Sequence, residues 1–174
     1  MKRDDESFTE FAAVARRGLR NTAYLLCGDW DRASDFVQEG LIRVYVAWPR
    51  LTRNGGEHAY ARRAVVSAFL DAARKRSSRE LPAEPDPHLN TGVDLAAIVA
   101  ETATLKEALR ELPARQRACV VLRYFEDLDV RATAQVLGCS EGTVKSQTSR
   151  ALATLRSMFD DASLEELVVS ERHA

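Results

Sequence analysis

Apolar residues recur every three or four positions along most of this chain, and the two-residue alternation of a half-buried strand is nearly absent. Phe8, Phe11, Ala15, Leu19 and Leu26 mark a first helix toward Cys27, opened by Ser7 and Glu10 as a capping box. After a GDWD turn, Phe36, Val37, Leu41, Val44, Tyr45 and Trp48 mark a second helix over about 31–48. Pro49 ends it, because the residue before a proline is pushed out of the α region. A polar loop, LTRNGGEH, leads to a third helix over about 59–76. Leu95, Ile98, Val99, Thr102, Leu105, Leu109 and Leu112 mark a fourth. Pro113 then suits the first position of the next helix. Two short helices and a longer one follow, ending near Phe159, and Ser163 with Glu166 fits another capping box in the tail.

The period breaks once, in SSRELPAEPDPHLNTG, which carries three of the five prolines. The pattern therefore predicts an all-α protein of two small helical domains, 1–76 and 94–159, with a flexible linker over 77–93 and an acidic tail over 160–174. Each domain is small enough to be only modestly stable alone.

Net charge is −1 over 174 residues, so any basic surface must be local. It is uneven: residues 60–80 sum to +4 and residues 81–112 to −4. A basic helix of this kind attracts phosphate. Cys27, Cys119 and Cys139 are odd in number and far apart, and His58, His88 and His173 fall in the loop, linker and tail. No disulfide framework, metal set or cofactor is implied. No apolar run approaches the roughly 20 residues that cross a bilayer, and the N-terminus has no signal-peptide core, which predicts a cytoplasmic protein. No catalytic triad or phosphate loop appears, so the chain is not read as an enzyme.

The most specific stretch is LDVRATAQVLGCSEGTVKSQTSRALATLR. A helix-turn-helix needs a small residue where its helices cross, a turn residue tolerant of positive φ, and an apolar residue inside the second helix. Ala134, Gly138 and Val144 supply these at offsets of four and six, with Val130, Leu137 and Leu152 as further apolar contacts. Ser140 is placed to cap the second helix and Thr143 to reinforce the cap. The start of that helix enters the major groove in this geometry. Lys145 and Arg150 can reach phosphates or guanine edges, Ser146, Gln147 and Ser149 can bond base edges, and the Thr148 methyl can touch thymine.

LPARQRACVVLRYFEDLDVRATAQVLGCSEGTVKSQTSRALATLR resembles region four of extracytoplasmic-function sigma factors, a group within the sigma-70 family. AYLLCGDWDRASDFVQEGLIRVYVAW resembles their region two, with its D-x-V-Q-E-like run at 35–39, and AYARRAVVSAFLDAARKR resembles the next stretch of that region. The resemblance spans about residues 8–158. It implies a protein that binds core RNA polymerase, through the β′ clamp helices and the β flap, and directs it to promoter DNA. By position, Asp35, Gln38 and Glu39 match the polymerase-gripping surface. Asn54, Gly55, Gly56, Glu57, His58, Arg62, Arg63 and Ser67 match the −10 surface. Thr143, Lys145, Ser146, Gln147, Ser149 and Arg150 match the −35 reader. An anti-sigma factor is an optional partner, and no membrane is implied. Ser67 stands where the family often has asparagine, Gln147 where arginine is common, and Thr148 where leucine or isoleucine is usual. Two other readings are a stand-alone helix-turn-helix regulator of the two-component type, which would need a receiver domain of alternating strands and helices with an acidic phosphorylation pocket, and a helical interaction protein that binds no DNA.

Overall fold

Three side-chain caps set the starts of helices. Asp29, in extended conformation, accepts from the Arg32 N–H at 2.7 Å and opens α2, Trp30–Ala47. Asp129 accepts from Ala132 at 2.7 Å and opens α6, Val130–Leu137. Ser140 accepts from Thr143 at 3.1 Å and opens α7, Glu141–Met158. Each satisfies an N–H that has no partner inside its helix. The remaining helices are α1 (Lys2–Cys27), α3 (Gly56–Ser77), α4 (Ile98–Glu111) and α5 (Ala114–Val120). These come from a computed structural model that describes residues 2–51, 56–78 and 98–159. Among them no strand occurs, as the periodicity predicts.

Several boundaries differ from the sequence reading. α1 begins five residues before Ser7, so Ser7 is not a cap. Its hydroxyl instead accepts from the Trp48 indole N–H at 3.1 Å, tying the end of α2 to α1. Gly56, Glu57 and His58 form the first turn of α3 rather than a loop. Glu57 there is an acid where the helix dipole favours one. Pro113 flanks α5 in extended conformation, one residue outside it. The expected linker and the tail capping box at Ser163 and Glu166 lie outside the described residues, apart from Ser77, the last residue of α3, and Ser78, a turn after it.

α1, α2 and α3 pack around Phe11, Leu19, Leu26, Phe36, Val37, Val44, Val65, Val66 and Phe69. α2 and α3 cross at Gly40: a Cβ there would lie 2.6 Å from Val65 Cγ2 and 3.2 Å from its backbone nitrogen. A second cluster joins Leu105, Leu109 and Leu112 to Val120, Ala151 and Leu155. The two are not separate. Ala118, Val121 and Leu122, fully buried, belong to the first cluster, so the C-terminal helices share a core with α1–α3.

α5 runs into one wide turn, Val121–Phe125, with i→i+5 bonding. The Glu126 N–H donates to the Val121 carbonyl at 3.0 Å and Asp127 takes φ +53°. Wide turns and left-handed non-glycine residues mark places where a side chain is aimed at local cost. Here they aim Glu126 back at α1 and α3.

Candidate nucleic-acid interface

The helix-turn-helix forms as its spacing predicts. Gly138 takes φ +61°, ψ 42°, a left-handed conformation that glycine adopts freely. It terminates α6, and the Cys139 N–H reaches the Ala134 carbonyl at 3.1 Å. Ala134 and Val144 are buried where the helices cross. Ser140 and Thr143 hydroxyls lie 2.9 Å apart, so the cap is doubled. Val130, Leu137 and Leu152 are half-buried around this crossing.

α7 divides cleanly. Val144, Ala151 and Leu155 face the core, while Lys145, Ser146, Ser149 and Arg150 form one exposed stripe. The Ser146 hydroxyl donates to the Thr143 carbonyl at 3.0 Å and keeps its lone pairs for an incoming donor. Thr143 and Gln147 are half-buried at the stripe's edge. Thr148 falls on the inner side instead: its Oγ1 is buried without a regular hydrogen-bond partner. The Cys119 thiol, a weak partner, is its polar neighbour. Thr148 is thus half-buried with its hydroxyl turned inward. Spacing alone accounts for it, since 144, 148, 151 and 155 share one face of a 3.6-residue helix.

In α3, Arg63 and Ser67 line a cavity of about 360 Å³ with Tyr60 and Ala64, completed by Arg43 from α2. A cationic pocket with an aromatic wall and a hydroxyl suits an unstacked base and its phosphate. Tyr60 and Arg43 were missed in the sequence. The signal for Tyr60 was its i, i+3, i+7 spacing with Arg63 and Ser67, whereas Arg43 comes from another helix. Arg62, expected beside Arg63, points elsewhere: its Nε lies 2.7 Å from Glu126 Oε2. Glu57 is half-buried with one carboxylate oxygen out of solvent. The His58 ring meets Phe11 edge-on at 4.8 Å between centroids, tying it to α1. Asn54 and Gly55 lie outside the described residues.

On α2, Asp35, Gln38 and Glu39 are all exposed, opposite buried Phe36, Val37 and Val44. Glu39 pairs with Arg43 one turn on. Gln38 also edges a groove of about 420 Å³ with Phe8, Val37, Leu41, Ile42 and Tyr45. Ile42, Tyr45 and Val46 are 57%, 50% and 75% exposed. Tyr45 was expected in the buried stripe, but its ring lies on the surface and its hydroxyl donates to Asp5 at 3.0 Å. That bond to an acid raises its pKa. A contiguous apolar face rimmed by carboxylates and an amide is the anatomy of a protein-docking surface.

Residues 13–79 match Sigma-70 region 2 and residues 102–155 match Sigma-70 region 4. The chain is 34% identical to the RNA polymerase sigma-E factor of Streptomyces avermitilis, over 91% of its own length and 88% of that protein's. It is 35% identical to the RNA polymerase sigma-E factor of Streptomyces coelicolor, over 86% and 84%. With the ECF RNA polymerase sigma factor SigM of Mycobacterium tuberculosis it shares 30% identity, over 87% and 76%. The fold resembles that of the sigma factor RpoE from Bartonella quintana, solved in complex with the anti-sigma factor NepR, with a TM-score of 0.64 at 24% identity over 87% and 96% of the two chains. An all-helical chain carrying both sigma-70 regions in order, matched nearly end to end by sigma factors, belongs to the extracytoplasmic-function group of sigma-70 RNA polymerase sigma factors, the proteins that direct core polymerase to specific promoters.

Proposed function

We propose that three surfaces divide the work. The Lys145, Ser146, Ser149 and Arg150 stripe reads the −35 element in the major groove, with Thr143 and Gln147 at its edge. The Arg43, Tyr60, Arg63 and Ser67 pocket holds an unpaired base of the −10 element, and Asn54, Gly55, Gly56, Glu57 and His58 contribute to reading that element. Asp35, Gln38 and Glu39, with Ile42, Tyr45 and Val46, dock on core polymerase. Residues 1–76 and 94–159 act as the two promoter-reading domains, and 77–93 connects them. The protein works in the cytoplasm and does no chemistry of its own, since polymerase supplies the active site. The optional anti-sigma partner would compete for the same surfaces.

The exposed α7 stripe carries this reading. Its four residues are polar or basic, and the capped helix start behind them adds a favourable field for phosphate. The test is run-off transcription with purified core polymerase and the Arg150→Ala variant. A contact bidentate to a base is worth about 1–3 kcal/mol, so promoter use should fall roughly ten- to a hundredfold with core binding unchanged. Undiminished transcription from the same promoter would remove Arg150 from the reader. Asp35→Ala with Glu39→Ala should instead lower core affinity while circular dichroism stays unchanged.

A further inference from the structure

Arg43 stands between the two surfaces that α2 helps to build. It borders the α3 cavity of about 360 Å³, whose wall also holds Tyr60, Arg63 and Ser67. Its Nη2 donates to Glu39 Oε1, one turn back on the docking face. The Arg43 and Glu39 side chains are 37% and 51% exposed. An ion pair so open to water adds little to stability. Its consequence is for the cavity. The carboxylate cancels much of the field that Arg43 would otherwise cast there. It also holds in place a planar fork of donors, of which the bond to Glu39 takes only part. Arg63, the second cation of the wall, has no ion pair among the described residues.

The cavity therefore carries two unlike cations. An unpaired guanidinium attracts any phosphate, because every nucleotide brings the same charge. A neutralised and oriented one keeps its hydrogen bonds, which need an acceptor at the right distance and angle. Base edges differ in where they place acceptors, whereas phosphates do not.

We propose that Glu39 is a specificity-determining positioning residue for the −10 pocket. It holds Arg43 so that the remaining donors read acceptor atoms on the edge of the unpaired base, and the phosphate is left to Arg63. The inference rests on the −10 reading proposed above for this pocket, and it gives Glu39 a task there besides docking. A base that presents adjacent acceptors suits the fork best, as the major-groove edge of guanine does. Without the carboxylate, Arg43 becomes a second phosphate binder, and the pocket grips the strand while distinguishing its bases less.

Fluorescence anisotropy tests this, with a labelled non-template single strand spanning the −10 element and holoenzyme whose core polymerase is saturated with each variant. Saturation keeps any loss of docking out of the measurement. The strand is compared with versions in which each −10 base in turn is exchanged, across a salt series. In Glu39→Gln, discrimination at the base in the pocket should fall about five- to tenfold, a large part of what one bidentate contact supplies. The logarithmic salt slope should steepen by about 0.7, the increment for one added phosphate contact on a single strand. Glu39→Asp keeps a carboxylate one turn from Arg43 and should match wild type in both. Adding Glu39→Gln to Arg43→Gln should change neither. A Glu39→Gln protein that keeps either the discrimination or the slope of wild type overturns the inference. So does a Glu39→Asp protein as altered as Glu39→Gln, or a Glu39→Gln effect that persists once Arg43 is gone, since Glu39 would then not act by holding Arg43. Should Glu39→Gln fail to assemble with core, the full chain alone is titrated with the same strands and judged by the same outcomes. A wild type that discriminates no −10 base removes the proposed role of the pocket and the inference with it, whereas failure confined to the variants removes the inference alone.

Discussion

At the scale of the residue, neighbours decide what a side chain is for. Arg62 and Arg63 are adjacent and alike in sequence, yet about 100° of helical rotation sends one to Glu126 and the other to an open pocket. Cys119 is a second case. It is buried beside Thr148, and burial pushes its thiol up from 9.0 to about 11. Burial raises Cys27 as well. The folded state therefore holds these protons more tightly than the unfolded chain. Their contribution to stability is complete below about pH 9, where both states are protonated. It is lost as pH rises from 9 toward 11, because the unfolded thiol ionises first. One thiol lowers the unfolding free energy by at most about 1.4 kcal/mol per pH unit in that window. Denaturant unfolding across pH 8–11 should show this decline, and Cys119→Ala should flatten it. Parallel curves for the two proteins would assign the decline to other groups.

At the scale of the element, two glycines illustrate different constraints. Gly40 is needed for space, because a methyl there meets Val65 at 2.6 Å across the α2–α3 crossing. Gly138 is needed for backbone, because its Cβ position is open but its φ is +61°. Gly40→Ala should destabilise by about 1–3 kcal/mol through overpacking. Part of that loss should return when Val65→Ala is added, since the clash is with that side chain. Gly138→Ala should cost about 1–2 kcal/mol, and no neighbouring substitution should recover it. Thermal unfolding of the three variants checks the pair. A Gly40→Ala protein as stable as wild type would mean that α2 and α3 cross less closely than a 2.6 Å approach to Val65 implies.

At the scale of the whole molecule, net charge near zero conceals an uneven distribution, and the exposed α7 stripe proposed to read DNA carries only Lys145 and Arg150 as cations. Few phosphate contacts mean weak duplex binding by the free protein. In a gel-shift titration on promoter DNA, binding at physiological salt should be weaker than the 10 nM end of the range typical of stand-alone regulators. Its logarithmic salt slope should be shallow, about −2 for two phosphates. On the proposed division, core polymerase supplies the missing affinity by holding both readers at promoter spacing, which raises the effective concentration of each for its element. Tight sequence-specific binding without polymerase would contradict this division.

Much of this was legible in the sequence alone. Helical period, the Ala134–Gly138–Val144 spacing and the Ser140 cap are local facts, fixed by 3.6-residue geometry and by which residues tolerate positive φ, so they predict the helix-turn-helix and its exposed stripe without reference to the rest of the chain. The exposed faces of α2 and α7 follow for the same reason. What crosses between helices was not legible. Ser7 looked like a cap because its partner, the Trp48 indole, lies 41 residues away. Tyr45 looked buried because amphipathic spacing does not say where a neighbouring helix ends. Arg43 joins the α3 pocket, and Glu126 reaches Arg62 across 64 residues. Each depends on which faces pack together, and that is decided by burial of a shared core rather than by any period along the chain. The sequence by itself determined which helices form and which sides of them are apolar. Only the tertiary structure decided that Ala118, Val121 and Leu122 bury against α1–α3, because apolar faces gain by leaving water wherever they find a complementary surface, and no local pattern records which surface that is.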